Sequence, residues 1–156
     1  MAAPIVSWYD GENDSQETSW DLGVVDAGST SAEKTFLIWN NRNGSEAVSD
    51  MTNCFVTTKD SAGGNTGELV EDTWIQVQVD SMDESSFTSI GGETTKEIEA
   101  GGAATTGNQT IAGDANNGSA TEDDDNFCEA TFRADVDPLA SAGTVDFLLR
   151  VSYQYV

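Results

Sequence analysis

The sequence contains no histidine, two cysteines, two prolines and six Lys plus Arg against 28 Asp plus Glu. Each shortage excludes something. Without histidine, Ser and Cys nucleophiles lack their usual base, and no metal can be held by imidazole. Six cations set against a net charge of −22 exclude nucleic acid as a partner, because phosphate neutralisation needs Lys and Arg. No apolar run approaches 18 residues, so no spanning helix is expected, and an acidic surface is repelled by anionic lipid. The first residues, Met1-Ala2-Ala3-Pro4-Ile5-Val6-Ser7-Trp8, show neither the basic nor the apolar region of a signal peptide. Synthesis and assembly in the cytoplasm are therefore expected. Gly-x-x-x-x-Gly-Lys, Gly-x-Gly-x-x-Gly and Gly-x-Ser-x-Gly are all absent. No enzyme activity, catalytic residue, cofactor or metal is expected. A carboxylate pair of the glycosidase kind cannot be located among 28 acids.

Helical periodicity is also missing. Thr, Ser and Gly, all poor in helix interiors, are abundant instead. What the chain has is alternation. From Val145 to Tyr155, Val145, Phe147, Leu149, Val151, Tyr153 and Tyr155 share one face. Ile75, Val77 and Val79 do so within Asp72–Asp80, and Cys128, Ala130, Phe132, Ala134 and Val136 within Phe127–Val136. Weaker strands are expected at Pro4–Tyr9, Ser19–Val25, Val48–Thr58 and Ser85–Ile90, with turn formers such as Asp10-Gly11, Asn43-Gly44 and Gly63-Gly64 between them. Short alternating strands separated by turns predict a single all-β domain over 1–156, an antiparallel sandwich.

Lys34–Asn40 differs, because Phe36 and Ile38 alternate with the equally apolar Leu37 and Trp39. Both faces of that strand must be covered. A core on one side and a neighbouring subunit on the other make Phe36, Leu37, Ile38 and Trp39 the candidate interface of a homo-oligomer.

Residues 91–126 form a long insertion whose only large apolar residues are Ile98 and Ile111. It reads either as a solvated excursion or as an arm that orders against a neighbour. Thr94–Glu99 and Thr105–Ile111 are a candidate hairpin within it. The acids from Asp114 to Asp125 lack the spacing of a calcium loop and read as a solvated charge run. Four Asn-x-Ser/Thr triplets, at Asn13, Asn43, Asn108 and Asn117, are what chance gives in so Ser/Thr/Asn-rich a chain. Cys54 and Cys128 fall in predicted strands and have two readings: two small buried hydrophobes, or a disulfide joining two strands. The excess of carboxylates resembles the surfaces of proteins from extreme halophiles, where salt screens like charges. The alternative is an acidic protein with a basic partner.

Trp20-Asp21-Leu22-Gly23-Val24-Val25-Asp26-Ala27-Gly28-Ser29-Thr30-Ser31, followed by Lys34-Thr35-Phe36-Leu37-Ile38-Trp39-Asn40-Asn41, resembles a known strand pattern. It is that of immunoglobulin-like sandwich domains of the PapD-like and ASPM/SPD-2/Hydin sort. Asp137-Pro138-Leu139-Ala140-Ser141-Ala142-Gly143, followed by Phe147–Tyr155, is similar to the closing strands of small virion proteins of tailed viruses. The resemblance implies an immunoglobulin-like β-sandwich and a structural role in a virion. The expected role is a capsid decoration, or cement, protein on the outer capsid surface. Its partner there is the major capsid protein, with three copies meeting as a trimer. A tail, baseplate or host-attachment component of the same virus and a cellular surface adhesion module are the alternatives.

Overall fold

The computed structural model describes residues 1–101 and 109–156. Eight strands are present among the described residues: β1 (Val6–Asp10), β2 (Lys34–Asn40), β3 (Thr52–Asp60), β4 (Ile75–Val79), β5 (Thr88–Ile90), β6 (Lys96–Glu97), β7 (Phe127–Ala134) and β8 (Phe147–Gln154). A four-residue helix, α1 (Glu68–Glu71), precedes β4. The strands form two antiparallel sheets, ordered β1-β2-β7-β4-β5 and β6-β3-β8. The chain is an all-β sandwich, as its alternation predicts.

Alternation places the core between the sheets. Phe36, Ile38, Val77 and Phe132 of the larger sheet belong to one apolar cluster with Cys54 and Val56 of the smaller, and Phe147, Leu149 and Val151 pack against it. Its centre is aromatic. Phe36 and Phe132 lie 5.9 Å apart between centroids, and Trp8 stands edge-on to Phe36 at 5.6 Å. Such pairs each add about 0.5–1.5 kcal/mol beyond the area they bury. The alternation of β8 fails only at its ends. Val145 and Tyr155 are 49% and 53% exposed, because the ladder with β3 runs only from Phe147 to Gln154.

Ser19–Val25 is not a strand. The Asp21 carboxylate accepts the Gly23 N–H at 2.8 Å, and Gly23 takes φ 67°, which breaks the extended run. Trp20, Leu22 and Val25 still pack against the core, and Trp20 stands edge-on to Phe36 and Phe147. β3 also starts later than its hydrophobicity suggests, at Thr52, and a register shift between Thr52 and Phe55, with Asn53 at φ 49°, interrupts its ladder with β8.

The described part of the 91–126 insertion packs onto the same domain. Ile98 and Ile111 are fully buried, Met51 and Ile111 form an antiparallel bridge, and the Ala100 N–H donates to the Thr110 carbonyl at 3.0 Å. Asparagines fasten the rest. Asn41 Nδ2 donates to the carbonyls of Glu46, Gly113 and Asp114, and Asn126 Nδ2 to those of Ala112 and Asp114. Of the expected hairpin, β6 is formed. Most of the 105–111 arm lies outside the described residues.

Candidate functional site

The expected interface on β2 is corrected by the structure. Phe36, Leu37, Ile38 and Trp39 are at most 3% exposed within this one chain. β2 is paired on both edges, by β1 and β7. Its second apolar face, Leu37 and Trp39, packs on Phe127, Tyr9 and Ala120. A polar lid closes over them. The Trp39 indole N–H donates to Asn13 Oδ1 at 3.1 Å, and Arg42 Nε donates to the same oxygen at 3.1 Å. The Arg42 guanidinium lies 3.9 Å from the Tyr9 ring centroid, and Asn13 Nδ2 donates to the Gly118 carbonyl at 2.9 Å. The chain itself supplies the cover that the sequence left to a second subunit.

The disulfide reading is likewise corrected. Cys54 and Cys128 are free, buried thiols. Ser81 Oγ lies 3.4 Å from Cys128 Sγ and 2.7 Å from the Glu99 carbonyl, to which it donates. Burial pushes both thiols up to about 12. Neither is a nucleophile at neutral pH.

Two acids of 114–125 hold turns, and Asp114, Asp124 and Asp125 lie exposed. Asp123 accepts the Ser119 N–H, and Glu122 accepts Asn117 Nδ2. Among the described residues, no three Cys, Asp or Glu side chains converge as a metal-ligand group.

Apolar side chains reach the surface at the two ends of β8. At its C-terminal end, Met1, Ile5, Tyr155 and Val156 are exposed. The chain termini meet there, the Ser49 N–H donating to the Ala2 carbonyl and Ser49 Oγ to the Val156 carbonyl. At the N-terminal end of β8 lies a groove of about 860 Å³. Residues 18–27 form one wall and 140–147 the other, with Leu69, Trp74, Ala134 and Val136 beneath.

Each wall is fixed at its base. The Gly28 N–H donates to the Val136 carbonyl and the Val136 N–H to Ser29, tying the first wall to the end of β7. The second is held to α1, where Glu68 accepts Ser141 Oγ at 2.6 Å and the Ser141 N–H at 2.9 Å. These two donors, the hydroxyl first, hold the Glu68 carboxyl below its ordinary value. The tops are open: no atom lies within 4 Å of where a Cβ would stand on Gly23 or Gly143. Val24 is 97% exposed on the first wall, and Val145 is half-exposed on the second. The lining carries Asp21, Asp26 and Asp146 but no Lys or Arg. An apolar floor with an acidic rim suits it to binding. Exposure of this kind has no sequence signal, since Val24 and Val145 read there as strand residues. No protein family and no curated protein matches the chain.

Proposed function

We propose that the chain is a non-catalytic docking module, and specifically a capsid decoration protein that seats on the outer surface of a tailed-virus capsid against the major capsid protein. The observation that carries this reading is the distribution of surface chemistry. A sandwich with 28 acidic residues presents most of its exposed large apolar side chains near the two ends of β8. Localised apolar patches rimmed by polar residues mark interaction surfaces, and the carboxylates elsewhere keep docked copies soluble. The strand order adds support. β1-β2-β7-β4 facing β3-β8 is the neighbour pattern of an immunoglobulin-like sandwich, in line with the sequence resemblance. Three copies meeting at a three-fold position would do so through the patch at the C-terminal end of β8, because β2 offers no free face.

Quantitative mass spectrometry of purified virus tests this reading. A copy number that scales with the capsid lattice is expected. One that follows tail symmetry would move the chain to the tail or baseplate, and absence from the particle would overturn the virion reading.

A further inference from the structure

We propose that the free edge of β8, with the groove beside it, receives an extended segment of a different protein, one that alternates apolar side chains and carries Lys or Arg. The inference rests on the chain being a docking module, not on which particle it decorates.

The first observation is the edge itself. β8 is eight residues long, has no proline, carries a single charge at Arg150, and among the described residues pairs only with β3. An unpaired ladder of this length is a template for another strand, which is why sheets usually shorten, charge or cover their edges. The other edges here are managed. β5 has three residues and β6 two, and β1 is met by Gln16 and Glu17. Main-chain hydrogen bonds along such an edge give affinity, and pockets for alternate side chains give specificity.

The second is the groove, which meets β8 at Phe147. A strand laid along β8 continues past this residue between the two walls, where its inward side chains find Trp20, Leu22 and Trp74. The Trp74 indole N–H is buried with no acceptor. A peptide carbonyl supplies that acceptor once the 18–27 wall, open around Gly23, gives way.

The third is charge, which selects the occupant. Asp21, Asp26 and Asp146 line the groove without a counter-ion among the lining residues. A second copy of this chain brings another −22, so a basic segment is the complementary guest.

The test uses the purified full chain and a random peptide library, selected at physiological salt. Recovered peptides should alternate apolar residues and be enriched in Lys and Arg. Adding one of them should slow amide exchange within Phe147–Gln154. The double variant Val24→Gln, Val145→Gln changes only exposed or half-exposed positions, removes apolar contact without adding charge, and should weaken binding about tenfold or more. Asp21→Lys with Asp146→Lys should turn the selection away from basic peptides. Peptides without alternation or basic bias, or binding unaffected by Val24→Gln with Val145→Gln, would overturn the proposal. So would self-association at molar salt that the same double variant abolishes, since the occupant would then be a second copy. None of these outcomes depends on the copy number in a virus, so the two readings fail separately.

Discussion

Met51 and Ile111 exchange both of their backbone hydrogen bonds, each 2.9 Å long, joining the approach to β3 to the heart of the insertion. Both side chains are fully buried. The insertion is therefore clamped by its two isoleucines. Ile111→Ala and Ile98→Ala should each cost about 2–5 kcal/mol, as core truncations do. Urea unfolding would show this as a lower midpoint with an unchanged slope. A loss below about 0.5 kcal/mol, as for a surface substitution, would mean that the insertion contributes nothing to the core.

Asn13 holds the lid over Trp39. Asn13→Ala leaves a fully buried indole N–H without its acceptor and releases Arg42 Nε, so a loss of about 1–3 kcal/mol is expected. Trp39 fluorescence should shift to the red if water enters. Asn13→Asp keeps an acceptor oxygen and should recover most of the loss.

The native thiols should be silent. With Cys54 and Cys128 buried and pushed up to about 12, a disulfide reagent at pH 8 should label neither in the folded chain and both in denaturant. Melting should not change with reductant. A reductant-dependent melting temperature would show that the two sulfurs pair after all.

Acid stability should depend on Asp60. Its carboxylate accepts Thr66 Oγ1 at 2.7 Å and the N–H groups of Gly64, Thr66 and Ala62, which hold its carboxyl far below the ordinary value of 3.8. The unfolded state then binds the proton more readily than the folded state. The stability from this loop is complete above the unfolded value and is lost as pH falls towards the folded one. Asp60→Asn should melt lower at pH 7 and show a shallower decline below about pH 4. Glu129 has the opposite sign, raised first by burial and then by Asp80. Glu129→Gln should melt higher at neutral pH, with the advantage shrinking as the wild-type carboxyl protonates.

Salt should stabilise the fold. Among the described residues, four ion pairs engage Lys34, Lys59, Lys96 and Arg133, and with only six cations against 28 acids most carboxylates have no cation to pair with. Raising ionic strength from 0.1 M to 1 M shortens the screening length from about 10 Å to about 3 Å and relieves that repulsion. Melting temperature should climb across this range in sodium chloride and in potassium chloride alike. A flat or falling curve would mean that the acids are not in net repulsion.

The strands most legible in the sequence were those whose two faces differ chemically. Ile75-Gln76-Val77-Gln78-Val79 and Phe147–Gln154 announce their inward faces residue by residue, and the structure follows them. Phe36–Trp39 also announced its burial, but not by what. Its second cover comes from Phe127 and Tyr9 on the neighbouring strands and from Asn13, Arg42 and Ala120, residues far apart in the chain, so no local pattern marks them. Ser19–Val25 has the composition of a strand, yet the Asp21 turn at Gly23 takes it out of the ladder. The groove arises from that departure. Where a regular strand would have closed the side of the sandwich, a looped wall leaves it open.

The pairing of β3 with β8 also governs how the molecule comes into being. More than half of the chain's length separates these partners, and β2 must likewise wait for β7. So large a share of distant contacts makes for a high contact order and folding on the scale of about milliseconds to seconds, with loop closure paid before it is rewarded. Until β8 arrives, β3 has among the described residues only the short β6 and the 109–111 segment beside it, and Cys54 and Val56 face a half-built core. During that interval the same negative charge that burdens the finished fold keeps unfinished chains from one another, an electrostatic chaperone written into the sequence.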